Sequence, residues 1–168
     1  QCVCLSQIFA RFIKDAFWIT LLAFLCIVIG STFPHNLSIY IDQKNIGTTN
    51  FTGFIGSINA FLGFLIGILF HRIHKRLKNY TLSTSLFILG ASFLIVSKAL
   101  NPFMFLAGST LFGIGTSLLY PAFLTNIYSS IPDKDIVPAI SMYMVATNIA
   151  QFVSPFIMNN LSSVLGTG

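Results

Sequence analysis

Long apolar stretches, separated by short polar loops, fill almost the whole chain. The five stretches cover residues 15–41, 51–70, 81–100, 103–129 and 136–164. A helix of about 20 apolar residues crosses the hydrocarbon core of a bilayer, which is roughly 30 Å thick. Helices on the surface of a soluble protein carry polar residues along one face instead. The pattern therefore predicts an all-α polytopic membrane protein with about five transmembrane helices.

Composition supports this class. Of the 168 residues, 55% are hydrophobic and 8% are charged, and glutamate does not occur. So few charges cannot cover the surface of a water-soluble domain. The net charge of +5 does not indicate nucleic-acid binding, because the basic residues cluster beside the predicted spans. The cysteines and histidines have no spacing typical of a metal site, so neither a metal nor a cofactor is predicted.

The distribution of Lys and Arg between alternate loops predicts the orientation. Two basic residues, Lys44 and Lys98, fall on one side, and the other seven fall on the opposite side: Arg11, Lys14, Arg72, Lys75, Arg76, Lys78 and Lys134. Short loops rich in Lys and Arg remain in the cytoplasm. We therefore expect these basic loops to be cytoplasmic. His71 and His74, in the loop after the second span, are expected to be solvated.

Polar side chains within the spans are candidates for a substrate cavity, because polar groups without partners are costly in hydrocarbon. These candidates are Thr32, Asn36, Tyr40, Asn59, Tyr120, Asn126, Asn148 and Gln151. The first three share one helical face at four-residue steps. For each residue alone, a hydrogen bond between helices is the alternative role. No Asp, Glu, Lys or Arg lies deep in a span, although such residues commonly couple transport to ions.

Small residues and prolines mark candidate packing faces and bends. In the second span, Gly56, Ala60, Gly63 and Gly67 lie on one face, which would let helix backbones approach closely. Tight packing explains this stripe, and a moving interface between two helix bundles is the sharper alternative. Gly113, Gly115, Pro121 and Pro155 interrupt the fourth and fifth spans, as in helices that bend or line a cavity. The third span is expected to be the most lipid-exposed. Pro34 is expected to kink the first span, with HNLSIYI a bent extension of the same helix.

Three segments together resemble the major facilitator superfamily of secondary transporters. GILFHRIHKRL (67–77) is similar to the family's loop motif GxLaDRxGRR: Gly67, Arg72, Lys75 and Arg76 match it, but His71 replaces the Asp. Losing that acid weakens a gating role for this loop. LFGIGTSLLYPAF (111–123) resembles the family's glycine-rich tenth helix, and NIAQFVSPFI (148–157) resembles its eleventh. An Arg in the fourth span and paired glycines after Pro in the fifth, both typical of the first half, are absent.

The resemblance implies helices seven to eleven of a twelve-helix transporter. Residues 1–14 would then be a cytoplasmic lead-in from the central linker, and residues 165–168 a truncated end before a missing last helix. The partners would be the lipid bilayer, a small-molecule substrate, protons and the N-terminal half of the same transporter. The first and fourth spans would line the cavity, and the second and fifth would meet the other half. The expected location is a bacterial-type plasma membrane.

The leading hypothesis is a proton-coupled antiporter that exports amphiphilic compounds, of the multidrug or sugar type. A narrow-specificity uptake carrier is an alternative. An integral membrane enzyme acting on lipids would need a cluster of His and acids at one membrane face, but the four aspartates are spread over both sides. A channel would need a filter-like loop or a charge ring, and the sequence contains neither. A truncated, non-functional transporter is a further alternative.

Overall fold

The computed structural model describes residues 17–43 and 49–164. These residues form five long α-helices: α1 (Phe17–Gln43), α2 (Thr49–Leu77), α3 (Thr81–Ser97), α4 (Pro102–Ser130) and α5 (Ile136–Val164). Short 3₁₀ helices at Lys78–Tyr80 and Asp133–Asp135 lead into α3 and α5. No strand occurs in these ranges. The prediction of an all-α protein with about five helices is confirmed.

Four of these helices, α1, α2, α4 and α5, are long and apolar enough to cross a membrane. The 17 residues of α3 are at the lower end of the range of about 17–25 residues for a spanning helix. α3 ends at Ser97, three residues before the predicted limit. Pro102 occupies the first position of α4 and disfavours helical conformation at Asn101, so α3 and α4 remain separate helices.

The α2 helix is longer than predicted at both ends. Residues 71–77, predicted as a loop, continue the helix, so Arg72, Lys75 and Arg76 lie in its last two turns. Lys and Arg are good helix formers, and cations near a helix C-terminus interact favourably with its dipole. The helix ends before Lys78, whose φ of 45° lies in the left-handed region.

Packing divides the described helices into two compact units, which share α1 and α4. Of the described residues, the first unit contains those up to His35 and from Phe123 onward, and the second contains those between Asn36 and Ala122. In each shared helix the division lies one residue beyond an internal proline, Pro34 or Pro121. Proline removes one backbone hydrogen bond of its helix. Nevertheless α1 is assigned as one helix through Pro34, so the segment after it belongs to the same helix, as predicted.

In the first unit, α1 packs against α5 around a small apolar cluster. Ile27, Val28 and Ala150 are buried there, with Phe24 packed beside them. The hydroxyl of Ser154, which is completely buried, donates a hydrogen bond to the carbonyl oxygen of Val28 at 2.7 Å. Helices in lipid gain no hydrophobic stabilisation from associating, so such packing and hydrogen bonds determine their pairing.

In the second unit, two glycines of α4 bring its backbone close to α3. A Cβ added to Gly108 would lie 2.7 Å from Cγ2 of Val96, and one added to Gly115 would lie 2.8 Å from Cγ of Leu89. The two glycines are seven residues apart and therefore share a helical face. A larger residue at either position would push the helices apart.

The third span, expected to be the most lipid-exposed, is nevertheless more buried than α2 within the described helices. Five of its 17 residues are buried: Thr81, Ser85, Leu89, Ser92 and Val96. Only 11% of the most apolar 18-residue stretch of α2 is buried. The buried positions of α3 follow each other at three- and four-residue steps, so they form one face, which packs on the glycines of α4. Short hydroxyl side chains occupy this seam: Ser85 donates to the carbonyl of Leu82 in its own helix at 2.8 Å, whereas Ser92 Oγ has no hydrogen-bond partner among the described residues.

We expect Gly108→Ala to destabilise the protein relative to Gly90→Ala. Both changes gain about 1 kcal/mol of helix propensity. At Gly108 the new methyl group also meets the backbone nitrogen of Val96 at 3.3 Å, and overpacking of this kind costs about 1–3 kcal/mol. At Gly90 no atom lies within 4 Å of the new group. Unfolding in detergent, followed by circular dichroism, measures the difference. Equal stability of the two variants would show that α3 and α4 do not approach this closely.

Candidate functional site

The predicted cavity residues fall into both units. Thr32, Asn126, Asn148 and Gln151 belong to the first unit, and Asn36, Tyr40, Asn59 and Tyr120 belong to the second. Asn36 and Asn126 are half-buried, and 37% of Tyr120 is exposed. The other five have three kinds of surroundings. Thr32 and Tyr40 bond between helices, the side-chain oxygen of Asn59 is buried, and Asn148 and Gln151 are exposed.

Thr32 takes part in the contact between α1 and α5. Its hydroxyl donates to the carbonyl of Val28 at 3.2 Å and lies 3.4 Å from the hydroxyl oxygen of Ser154. Because Ser154 also bonds to Val28, two hydroxyl groups converge on one carbonyl oxygen. Ser154 was not among the cavity residues predicted from the sequence, although it lies in the segment NIAQFVSPFI, directly before Pro155. Thr32 therefore has a hydrogen-bonding role between helices.

Tyr40 connects α1 to two other helices of the second unit. Its hydroxyl donates to the carbonyl of Val96, the last buried residue of α3, at 3.1 Å. Its ring stacks on Phe105 of α4 with a centroid separation of 5.6 Å and an interplanar angle of 19°. Phe105 is completely buried. Tyr40 thus fixes the end of α1 by a polar and an aromatic contact at once.

Asn59 lies at the contact between α2 and α4. Its Oδ1 atom is buried and has no hydrogen-bond partner among the described residues. A Cβ added to Gly113 would lie 2.5 Å from this oxygen and 3.4 Å from the Cα of Asn59. One turn along, a Cβ on Gly63 would lie 3.3 Å from Oγ of Ser117. Gly113 and Gly63 therefore leave room for a polar side chain of the facing helix.

Asn148 and Gln151 differ from these residues because both side chains are exposed in the middle of α5. The amide nitrogen of Asn148 donates to the carbonyl of Met144, one turn earlier in the same helix, at 2.7 Å. Ile149 and Phe152, between and beside them, are also exposed. The surface of α5 is therefore apolar but carries two amide groups at its centre.

Most of the small-residue stripe of α2 lies on an open surface. Gly56, Ala60 and Gly67 are exposed, and a Cβ added to Gly56 or Gly67 would meet no atom within 4 Å. Of the three glycines, only Gly63 would bring an added Cβ within 4 Å of another helix among the described residues. The stripe therefore remains largely available for a further contact.

The basic end of α2 is exposed, but one of its histidines is not simply solvated. His71 is exposed, whereas His74 is half-buried, with its ring stacked on Phe70 at 5.5 Å. Nδ1 of His74 lies 3.0 Å from the hydroxyl oxygen of Thr81, which donates its proton to the carbonyl of Lys78 at 2.8 Å. Nδ1 must therefore donate, because a hydroxyl group has one proton. The expectation of a solvated His74 is wrong: it stabilises the turn from α2 to α3.

Some predicted features lie outside the described residues: Arg11, Lys14 and Lys44, the lead-in and the last four residues. Among the residues that the structure does describe, His, Cys, Asp and Glu form no group of three or more that could hold a metal ion.

The sequence matches the family model of the Major Facilitator Superfamily over residues 3–166. The chain belongs to this family. The comparisons with curated proteins and with solved structures each gave no significant match. Members of the superfamily are transporters and not enzymes. Together with four helices able to span a bilayer, this identifies an integral membrane protein of secondary transport.

We expect Tyr40→Phe to lower the free energy of unfolding by about 1 kcal/mol, the usual contribution of one hydrogen bond. The stacking on Phe105 is retained, so the loss reports the bond to Val96 alone. Tyr80→Phe is the control, because 74% of Tyr80 is exposed, and it should leave stability unchanged. Both variants are compared by thermal unfolding in the same detergent. A Tyr40 variant as stable as the wild type would contradict the packing role.

Proposed function

We propose that the chain works in proton-coupled efflux of small amphiphilic compounds by alternating access, as half of a major facilitator transporter. The observation that carries the proposal is the pair of exposed amides, Asn148 and Gln151, in the middle of the apolar helix α5. Hydrocarbon offers an exposed amide no hydrogen bonds beyond those to its own chain, so a spanning helix seldom turns such a group toward lipid. These amides are therefore expected to face a cavity or another helix bundle instead of lipid.

The chemistry of the spans favours a substrate without a fixed charge. Deep in the helices there is no Asp, Glu, Lys or Arg that could form an ion pair with a ligand. Amides and hydroxyls offer hydrogen bonds, and the neighbouring Ile149 and Phe152 offer apolar contact. This combination suits amphiphilic molecules. A coupling carboxylate would have to come from a part of the transporter outside these spans, since they contain none.

The proposed partner, an N-terminal half of the same transporter, is supported by the burial of the spanning helices. The buried share of the most apolar stretch is 11% in α2 and 22% in α5, against 33% in α1 and 44% in α4. The exposed stripe of Gly56, Ala60 and Gly67 also lies on α2. Small residues permit close approach of a second bundle that rocks during transport. We place the basic end of α2 on the cytoplasmic side of a bacterial-type plasma membrane, following the excess of Lys and Arg there.

Dye accumulation in cells that express the complete transporter, with and without a protonophore, tests the efflux proposal. Expression should lower accumulation of an amphiphilic dye, and the protonophore should abolish the difference. Unchanged accumulation would overturn the efflux proposal and favour the alternative, a narrow-specificity uptake carrier. An effect of expression that survives the protonophore would overturn proton coupling.

The same assay tests the role of the exposed amide. Asn148→Ala should raise the dye concentration needed for half-maximal efflux by about two- to tenfold, because a ligand hydrogen bond contributes about 0.5–1.5 kcal/mol. The matched control is Ser141→Ala, since Ser141 is also exposed on α5 and bonds to its own helix, at the carbonyl of Val137. Membrane levels of both variants are compared by immunoblot. If the two variants transport alike at equal levels, Asn148 does not contact the substrate.

A further inference from the structure

The last two turns of α2 carry three cations that share one depression of the surface. Arg72, Lys75 and Arg76 line it together with Ile73, and its volume is about 590 Å³. All three cationic side chains are exposed. We propose that this depression binds the phosphate headgroup of an anionic phospholipid from the adjoining leaflet. The inference does not depend on the direction or substrate of transport.

The three cations are not neutralised within their own unit. None forms an ion pair or a hydrogen bond with any residue that the structure describes, including the last carbonyls of α2. The sequence contains no acidic residue between Asp42 and Asp133. Asp42 precedes the start of α2, whereas Arg72 and Arg76 lie near the opposite end of this 29-residue helix, about 35–40 Å from its start. The second unit therefore supplies no counter-ion at this depression.

The position of the depression suits a lipid and not only a free anion. Phe64, Ile68, Arg72 and Arg76 follow each other at four-residue steps, so they lie along one face of α2. Phe64 is 65% and Ile68 63% exposed. This face thus offers an apolar strip for acyl chains that ends, one turn later, at the cations. Basic residues immediately beside a membrane span attract anionic headgroups by the same arrangement.

The test uses the purified full-length transporter in nanodiscs of phosphatidylcholine that contain a minor fraction of phosphatidylglycerol. The transporter is then released from the nanodiscs, and native mass spectrometry counts the phosphatidylglycerol molecules that it retains. Each cation near an anionic surface contributes about fivefold to affinity, so the triple variant R72Q/K75Q/R76Q should bind on the order of a hundredfold more weakly. The control K98Q removes an exposed cation from the loop after α3 and should retain the lipid like the wild type.

Two further measurements, one with free phosphate and one at high salt, complete the test. Inorganic phosphate, added to nanodiscs of phosphatidylcholine alone, should fail to protect Arg72 and Lys75 from chemical labelling, whereas phosphatidylglycerol should protect them. High salt should release phosphatidylglycerol from the wild-type protein, which keeps the test valid if the triple variant does not fold. Equal retention of the two lipids by the wild type, equal retention by the triple variant, or equal protection by free phosphate would each overturn the proposal.

Discussion

The hydrocarbon core of a bilayer offers no hydrogen-bond partners, and this constraint governs every helix of the chain. Backbone groups are satisfied only within each helix, so the protein consists of long helices with short connections. Many side-chain hydroxyls are satisfied in the same way, although Ser92 Oγ is buried with no hydrogen-bond partner among the described residues. Ser85, Ser109 and Ser117, for example, each donate to a carbonyl of their own helix, at 2.7–2.8 Å. Polar residues can thus occupy spans without requiring water.

The same constraint explains why small residues decide which helices pair. Apolar side chains gain nothing by leaving lipid for one another, so close backbone approach and a few hydrogen bonds must provide specificity. In the second unit Gly108, Gly113 and Gly115 receive side chains from two neighbouring helices. In the first unit the carbonyl of Val28 receives the hydroxyls of Thr32 and Ser154. Both units therefore combine a close contact with polar interactions.

Function follows from the polar groups that packing leaves exposed. Tyr40 and Thr32 are engaged between helices, whereas Asn148 remains on an apolar surface with its amide bonded to its own helix. Charged residues are absent from the middle of the spans and are concentrated at the end of α2. The proposed neutral cavity and the proposed headgroup site thus use separate parts of the chain.

The sequence by itself determined the class, the number of helices and the family. Apolar length is a local property, and the order of GILFHRIHKRL, LFGIGTSLLYPAF and NIAQFVSPFI is visible without coordinates. Helix ends were predicted less well: the segment HRIHKRL is helical, as its Arg, Lys and Leu residues favour, although its charge suggested a loop.

Only the tertiary structure decided which polar residues are used in packing, why α3 is more buried than α2, and that His74 holds a turn. These properties depend on residues that are distant in sequence. The exposed side of Asn148 and the contact partner of Gly108 are set by which helix lies beside each one. Hydrophobic patterning cannot supply this information, because in lipid most positions on every face of a spanning helix are apolar.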